Sequence, residues 1–187
     1  MGIVDLFGGA ITTTYPSNLT DASDLRQVPD TQEVYLSNDS DLSLILEVLQ
    51  LVEEEGSDRS LEAGIRYHFA SLAYDNDAQS DSIESTSLPS RTTSDPLLQG
   101  PITLKGTQTI SKFNKPTSQA DEVVIFLALW RIEDKRSDLV LTVNWPKVVY
   151  DDEGKAKDQK DGVGKAQKVF EDAVRDLKVV DWGLFAG

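Results

Sequence analysis

The chain has 187 residues, of which 39% are hydrophobic and 27% are charged, and it contains no cysteine. This length and composition are typical of a soluble globular protein, so we expect residues 1–187 to form a single domain. The lack of cysteine excludes disulfides, thiolate nucleophiles and thiolate metal sites. A formal charge of -14 argues against nucleic acid and anionic membranes as partners. We also expect no membrane span and no secretory signal, because the apolar runs are too short.

The first 55 residues predict two short strands and a helix. Residues 10–15 are rich in threonine and favour a strand, and residues 32–36 form a second extended segment. From 41 to 55 the apolar residues recur every three or four positions, which predicts an amphipathic helix. Residues 37–40 supply the side chains that commonly cap a helix N-terminus.

The middle of the chain predicts a second helix followed by a long polar segment. Apolar residues keep one stripe over residues 60–73, although Gly64 lies inside that helix and weakens it. Residues 75–96 are rich in Ser, Asp and Thr, so we expect a mobile loop with at most one strand around Ile83.

The next segment predicts the centre of an antiparallel sheet. Residues 102–110 alternate between apolar and polar side chains, as a strand with one face in water does. Residues 122–132 are apolar in both alternating sets, which indicates a strand that is covered on both faces. Residues 133–137 are short enough for a hairpin loop, and residues 139–145 continue as a strand that we expect Pro146 to end.

The C-terminal part predicts a charged linker, a third helix and an apolar closing segment. The linker covers residues 151–161, the helical stripe runs over 164–178, and residues 179–185 are too apolar for a free tail. Three helices around a sheet without a polar face at its centre imply helices on both sides of that sheet. The predicted fold is therefore an α/β/α sandwich with a central, mainly antiparallel sheet.

No residue pattern identifies an enzyme, a cofactor site or a metal site. His68 is the only histidine, and a lone helical histidine is more often part of the packing than a ligand or a base. The Gly162–Lys165 segment lacks both the first glycine and the hydroxyl residue of a phosphate-binding loop. The carboxylate runs at 53–55 and 151–153 do not have the spacing of a calcium loop. We therefore predict no catalytic residues, no cofactor and no metal.

Residues 6–14 and 21–35 resemble the N-terminal signature of the Mog family of Ran-binding proteins. The similarity continues more loosely to Phe185 and covers nearly the whole chain. The resemblance implies a Mog/PsbP-like sandwich, which agrees with the fold expected from periodicity. It further implies a non-enzymatic protein that binds the GTPase Ran and promotes release of its guanine nucleotide. This role would support nuclear protein import, with the protein resident in nucleus and cytoplasm. We expect the chain to be a monomer, and a further Ran-binding protein could join the complex.

The resemblance also implies which residues contact Ran. Asp30 and Glu33 match the acidic pair that the family uses, and the weaker candidates are Thr31, Gln32, Asp24 and Arg26. Pro29 fixes its own φ and favours an extended Val28, so we expect a rigid turn from which the acidic pair projects. A turn-stabilising role for Asp30, and a local ion pair between Asp24 and Arg26, are the structural alternatives.

Two other functions remain open from the sequence. A PsbP-like accessory subunit could share the sandwich without binding Ran, since a fold does not determine a function. A small hydrolase that uses carboxylates and His68 is the last alternative.

Overall fold

The computed structural model describes residues 1–52, 60–88, 97–111 and 116–185. Within them the larger sheet has eight strands, every pair antiparallel, and a second sheet has three. The strands are β1 (Gly2–Leu6), β2 (Ile11–Tyr15), β3 (Leu19–Asp21), β4 (Gln32–Ser37), β5 (Ser43–Gln50), β6 (Ala78–Ser87), β7 (Gln99–Ile110), β8 (Asp121–Ile132), β9 (Ser137–Tyr150), β10 (Ala156–Asp158) and β11 (Lys178–Val179). The helices of the described residues are α1 (Leu61–Asp75) and α2 (Val163–Asp176).

The larger sheet runs in the order β3-β4-β5-β9-β8-β7-β6, and β10 pairs with the end of β9. The smaller sheet has the order β1-β2-β11. Its central strand is joined to α2 by a hydrogen bond of 2.7 Å from the Thr13 hydroxyl to the Ala173 carbonyl. The smaller sheet therefore lies on the α2 side of the molecule.

Each face of the larger sheet is covered by one helix. Phe126 and Trp130 of β8 pack in one core with Phe170 of α2, whereas Ile125 and Leu127 pack in a second core with α1. Because alternate residues of a strand point to opposite faces, a strand between two cores must be apolar throughout. The predicted sandwich and its central strand are confirmed.

The predicted helix at 41–55 is wrong. Ser43–Gln50 is strand β5, which pairs with both β4 and β9. The buried residues Leu42, Leu44 and Leu46 alternate with more exposed ones, so burial follows a period of two. Because apolar residues occupy nearly every position of this segment, its pattern fits a helix as well as a strand. Pairing with two neighbouring strands makes it a strand. Residues 37–40 form the turn into β5, closed by a 3.0 Å hydrogen bond from the Ser37 N–H to the Leu42 carbonyl, rather than a helix cap.

Two further strands are longer than predicted. Ala78–Ser87 is an edge strand and not a loop, and the predicted loop residues 89–96 lie outside the described residues. Strand β9 continues through Pro146 to Tyr150. The pairing of β8 with β9 shifts register between Glu122 and Val123, opposite the proline, so a bulge accommodates the missing N–H.

The helices at 60–73 and 164–178 are confirmed in outline. Ser60 caps α1 by accepting a hydrogen bond of 3.1 Å from the Ala63 N–H. The glycine inside α1 has a packing reason, because a Cβ at Gly64 would lie 2.6 Å from Nη2 of Arg131. Helix α1 therefore accepts a poor helix former so that it can lie close to a buried arginine.

Candidate functional site

The predicted turn before β4 exists. The Gln32 N–H donates to the Pro29 carbonyl at 2.9 Å, and the Thr31 carbonyl accepts a 2.9 Å hydrogen bond from the Val48 N–H of β5. The side chains of Asp30 and Thr31 are exposed at its tip. The turn thus presents one carboxylate to solvent on a backbone held by two hydrogen bonds.

Glu33 does not project from the turn as expected. Its side chain is half-buried, and its carboxylate accepts a hydrogen bond from the backbone N–H of Phe7. Burial raises the pKa of Glu33, the Phe7 N–H lowers it, and the nearby Asp21 raises it further. Glu33 therefore connects β4 to the segment that follows β1, and of the predicted acidic pair Asp30 is the exposed member.

Gln32 and Glu33 lie on opposite faces of the sheet, because neighbouring strand residues alternate. The side-chain amide of Gln32 donates to Oε1 of Glu47 on β5 at 2.6 Å, on the face that α1 covers. The structure therefore splits the predicted contact residues between two faces instead of gathering them on one.

Asp24 and Arg26 do not form the expected ion pair. Both are exposed, and neither makes an ion pair with a residue in the described ranges. The short turn Ala22–Asp24 is held by Asp21, whose side chain accepts from the Ser23 N–H at 2.8 Å. Both charged groups are consequently free to meet a partner.

The same turn exposes an apolar side chain that the sequence did not single out. Leu25 is 69% exposed, between the charged side chains of Asp24 and Arg26. Nearby, burial raises the pKa of Tyr35 to about 12, and the negative charges of Asp21, Glu33 and Asp24 raise it in the same direction. This end of the sheet is therefore a region of negative potential around an exposed leucine.

His68 is a buried, hydrogen-bonded residue of α1. Its Nε2 lies 2.9 Å from Oδ2 of Asp138, and Nε of Arg131 donates to Oδ1 of the same carboxylate at 2.9 Å. Burial alone would raise the pKa of Asp138, but the hydrogen bonds from His68 and Arg131 outweigh it, and the pKa is lowered. The structural interpretation of His68 is confirmed.

The carboxylate run at 151–153 and Gly162 belong to turns and packing contacts of the described structure. The side chain of Asp151 accepts hydrogen bonds from the N–H groups of Glu153 and Lys155. The acidic residues 151–153 therefore form a turn. A Cβ at Gly162 would overlap the ring of Trp145 at 1.8 Å, so this glycine is required by packing. Residues 53–55 lie outside the described residues. No group of three metal-binding side chains occurs in the described parts of the chain.

The fold and this surface define a class: an α+β sandwich with an acidic, partly apolar turn at one end of its antiparallel sheet. The chain belongs to the family described as Ran-interacting Mog1 protein, whose profile matches residues 4–146. The resemblance read from residues 6–14 and 21–35 is thereby confirmed.

Several relatives are similar over most of their length. The Ran guanine nucleotide release factor of Homo sapiens is 36% identical over 75% of this chain and 74% of its own. That of Danio rerio is 29% identical, with 96% and 97% covered. The nuclear import protein MOG1 of Saccharomyces cerevisiae is 30% identical, with 98% and 84% covered.

The fold is also similar to a solved structure. The crystal structure of the Saccharomyces cerevisiae Ran-binding protein Mog1p superposes with a TM-score of 0.71 at 26% identity. The match covers 98% of this chain and 97% of that one, so it includes both faces of the sheet. Among the described helices, neither is long and apolar enough to cross a membrane.

Proposed function

We propose that this chain binds the GTPase Ran and promotes release of its bound guanine nucleotide, in support of nuclear protein import. The observation that carries the proposal is the family membership, with relatives named as Ran guanine nucleotide release factors or nuclear import proteins. These names do not favour a PsbP-like accessory subunit. On this proposal the chain is not an enzyme, and it works as a monomer in nucleus and cytoplasm, alone or with a further Ran-binding protein.

Asp30 is the central contact of the proposed interface. It is exposed on a turn that is hydrogen-bonded at both Gln32 and Thr31, so little conformational entropy is lost when a lysine or arginine of Ran pairs with it. Asp24, Arg26 and Thr31 are exposed as well and would supply further polar contacts. Glu33 contributes mainly negative potential and the position of the turn, because its carboxylate already holds the Phe7 N–H.

Nucleotide release follows from competition and linkage. The acidic turn competes for a basic or metal-bound group that holds the nucleotide phosphates in Ran. Ran with an empty nucleotide site then binds this chain best. By reciprocity, a partner that prefers the empty state weakens nucleotide binding by the same factor.

The test measures Ran affinity in defined nucleotide states for the unchanged chain and for Asp30→Lys and Glu33→Gln. Asp30→Lys should stay folded and weaken binding by about tenfold or more, because it replaces attraction by repulsion. Glu33→Gln keeps an acceptor for Phe7 and should weaken binding less. Asp81→Lys is the matched control, since Asp81 is exposed on the opposite edge strand β6. Equal affinity of the Asp30 and Asp81 variants at low and moderate salt would contradict the proposal, as would no binding in any state.

A further inference from the structure

Strand β1 forms an edge of the smaller sheet that no other described strand covers. It pairs with β2 without any shift of register, from Gly2 opposite Tyr15 to Leu6 opposite Ile11. In the order β1-β2-β11, the side of β1 that faces away from β2 pairs with no strand in the described parts of the chain. Alternate residues of an antiparallel edge strand direct their N–H and C=O groups away from the neighbouring strand. Strand β1 therefore presents a regular row of backbone donors and acceptors.

The other edges among the described strands are short or protected. Strand β6, at one edge of the larger sheet, shifts register twice in its pairing with β7, and Asp81 and Glu84 are exposed on it. Strands β3, β10 and β11 have only two or three residues each. Bulges, charged side chains and short length are the usual protection of an edge against pairing with another chain. Strand β1 is longer than these three and has no bulge, and Asp5 is its one charged residue.

The side chains of β1 differ between its two faces. Val4 and Leu6 pack in the core on the α2 side, whereas Ile3 and Asp5 are exposed on the other face. Ile3 is 81% exposed, although isoleucine is among the residue types most often buried. Directly opposite residues of paired strands have Cβ atoms ~4.5–5.5 Å apart. An apolar residue on an added strand would therefore cover Ile3.

Asp5 gives this edge a preference for a basic partner. Its side chain makes no ion pair with any residue of the described ranges. Lys178 shares its face of the sheet, because Thr12 lies opposite both Asp5 and Lys178. Two strand spacings separate the lysine from Asp5 by about 10 Å, which is one screening length at 0.1 M salt. A basic residue opposite Asp5 on an added strand would lie at about half that distance.

We propose that β1 receives an extended segment of a partner protein as an additional antiparallel strand, with a basic residue opposite Asp5 and an apolar residue opposite Ile3. The antiparallel direction continues that of the smaller sheet, so the basic residue precedes the apolar one by two positions. In such strand addition the backbone hydrogen bonds supply affinity and the alternate side chains supply specificity. The net charge of -14 attracts a basic segment at longer range. This interaction goes beyond Ran binding and does not rest on it.

The first experiment titrates the full chain with the peptide acetyl-Thr-Thr-Lys-Thr-Val-Thr-Thr-amide and follows the backbone amide signals by NMR. Two further peptides carry N-methyl groups, one on the lysine and valine amides, the other on the amides of the threonines that follow them. Consecutive amides of a strand point to opposite sides, so only one methylated peptide would direct its methyl groups at β1.

The expected result is a saturable shift at residues 2–6 with the parent peptide. One methylated peptide should bind about tenfold more weakly, because its hydrogen bonds to β1 are lost, and the other should bind like the parent. Equal affinities of the two methylated peptides would show that the peptide does not add as a strand. A saturable shift only elsewhere in the chain, or no shift at the highest soluble concentration, would also overturn the proposal.

The second experiment reverses the charge at the edge. Asp5→Lys should weaken binding of the lysine peptide by about tenfold and strengthen binding of the same peptide with glutamate in place of lysine. Asp81→Lys on β6 is the matched control, because it makes the same change of net charge at an exposed position of the other sheet. Equal losses in the two variants, or no gain with the glutamate peptide, would overturn the pairing at Asp5. Neither experiment contains Ran, so a failure here leaves the proposed function to its own test.

Discussion

Asp138 is fully buried and holds the charged group of Arg131, which is itself only 1% exposed. We predict that Asp138→Asn lowers the free energy of unfolding by about 3–5 kcal/mol, because it removes one charge of a buried, hydrogen-bonded ion pair. Urea unfolding at neutral pH measures the loss. Asp134→Asn, in the exposed Glu133–Lys135 turn next to it, should change little. A loss as small as that of the control would contradict this account.

The pH dependence of the same carboxylate has a defined sign. The pKa of Asp138 in the folded protein lies below its ordinary value of 3.8. Its ionised form therefore stabilises the fold above pH 3.8, and this contribution is lost as the pH falls through the lower, folded pKa. The difference in unfolding free energy between the unchanged chain and Asp138→Asn should accordingly shrink below pH 3.8. If the difference in unfolding free energy stayed constant down to the pH of acid unfolding, the lowered pKa of Asp138 would be contradicted.

The pKa of Glu47 is shifted in the opposite direction to that of Asp138. Burial is the main reason why its pKa is raised above the ordinary 4.5. Ionised Glu47 therefore destabilises the fold at neutral pH, and this cost disappears as the pH falls from the folded pKa to 4.5. We predict that Glu47→Gln, which keeps an acceptor for Gln32, raises the melting temperature at pH 7 and leaves it unchanged near pH 4. Thermal unfolding at both pH values checks this, and a lower melting temperature at pH 7 would refute it.

At the scale of elements, close approach between α1 and β7 depends on Gly106. A Cβ there would lie 2.5 Å from the Phe69 ring and 2.7 Å from the Ser82 carbonyl, so both the helix and the edge strand would have to move. We predict that Gly106→Ala lowers the free energy of unfolding by about 1–3 kcal/mol through overpacking. Gly164→Ala is the control, because it meets open space in α2 and should stabilise the helix. Denaturant unfolding of both variants measures the two changes in the free energy of unfolding. Changes of the same sign would contradict the prediction.

The elements differ in how far the sequence could predict them. Strand β8 is apolar in both alternating sets, as a strand between two cores must be, and α2 buries Ala166, Phe170 and Ala173 at helical spacing. The apolar residues of β5 fit the 3.6-residue period of a helix and the two-residue period of a strand. Only its pairing with β4 and β9 distinguishes the two. Strand β6 has few apolar residues because it lies at an edge, and it therefore looked like a loop.

At the scale of the whole molecule, the fold class follows from local patterns, but the side-chain contacts around the turn before β4 do not. Gln32 and Glu47 are hydrogen-bonded although they lie on different strands, and only the pairing of β4 with β5 brings them together. The hydrogen bond from Phe7 to Glu33 joins residues 26 positions apart, so the sequence could not show that Glu33 is half-buried. Asp30 was predictable because its exposure depends on a short turn next to a proline.

The net charge of -14 acts on the encounter with a partner rather than on the fold. Because charges on the surface are screened over ~10 Å at 0.1 M salt and ~3 Å at 1 M, we predict that the association rate with Ran falls steeply with salt. The dissociation rate should change much less, since on the proposed interface it depends on the close contacts at Asp30. Stopped-flow mixing over a series of salt concentrations measures both rates.

Two variants separate the general field from the local contact. Asp81→Asn removes one distant charge and should lower the association rate slightly at low salt, with an unchanged dissociation rate. Asp30→Asn removes one charge at the turn and should raise the dissociation rate as well, because a close pair is lost. If both variants altered only the association rate, Asp30 would act through the field alone and not as a contact. If salt changed neither rate, the acidity of the chain would serve its solubility instead of its encounter with Ran.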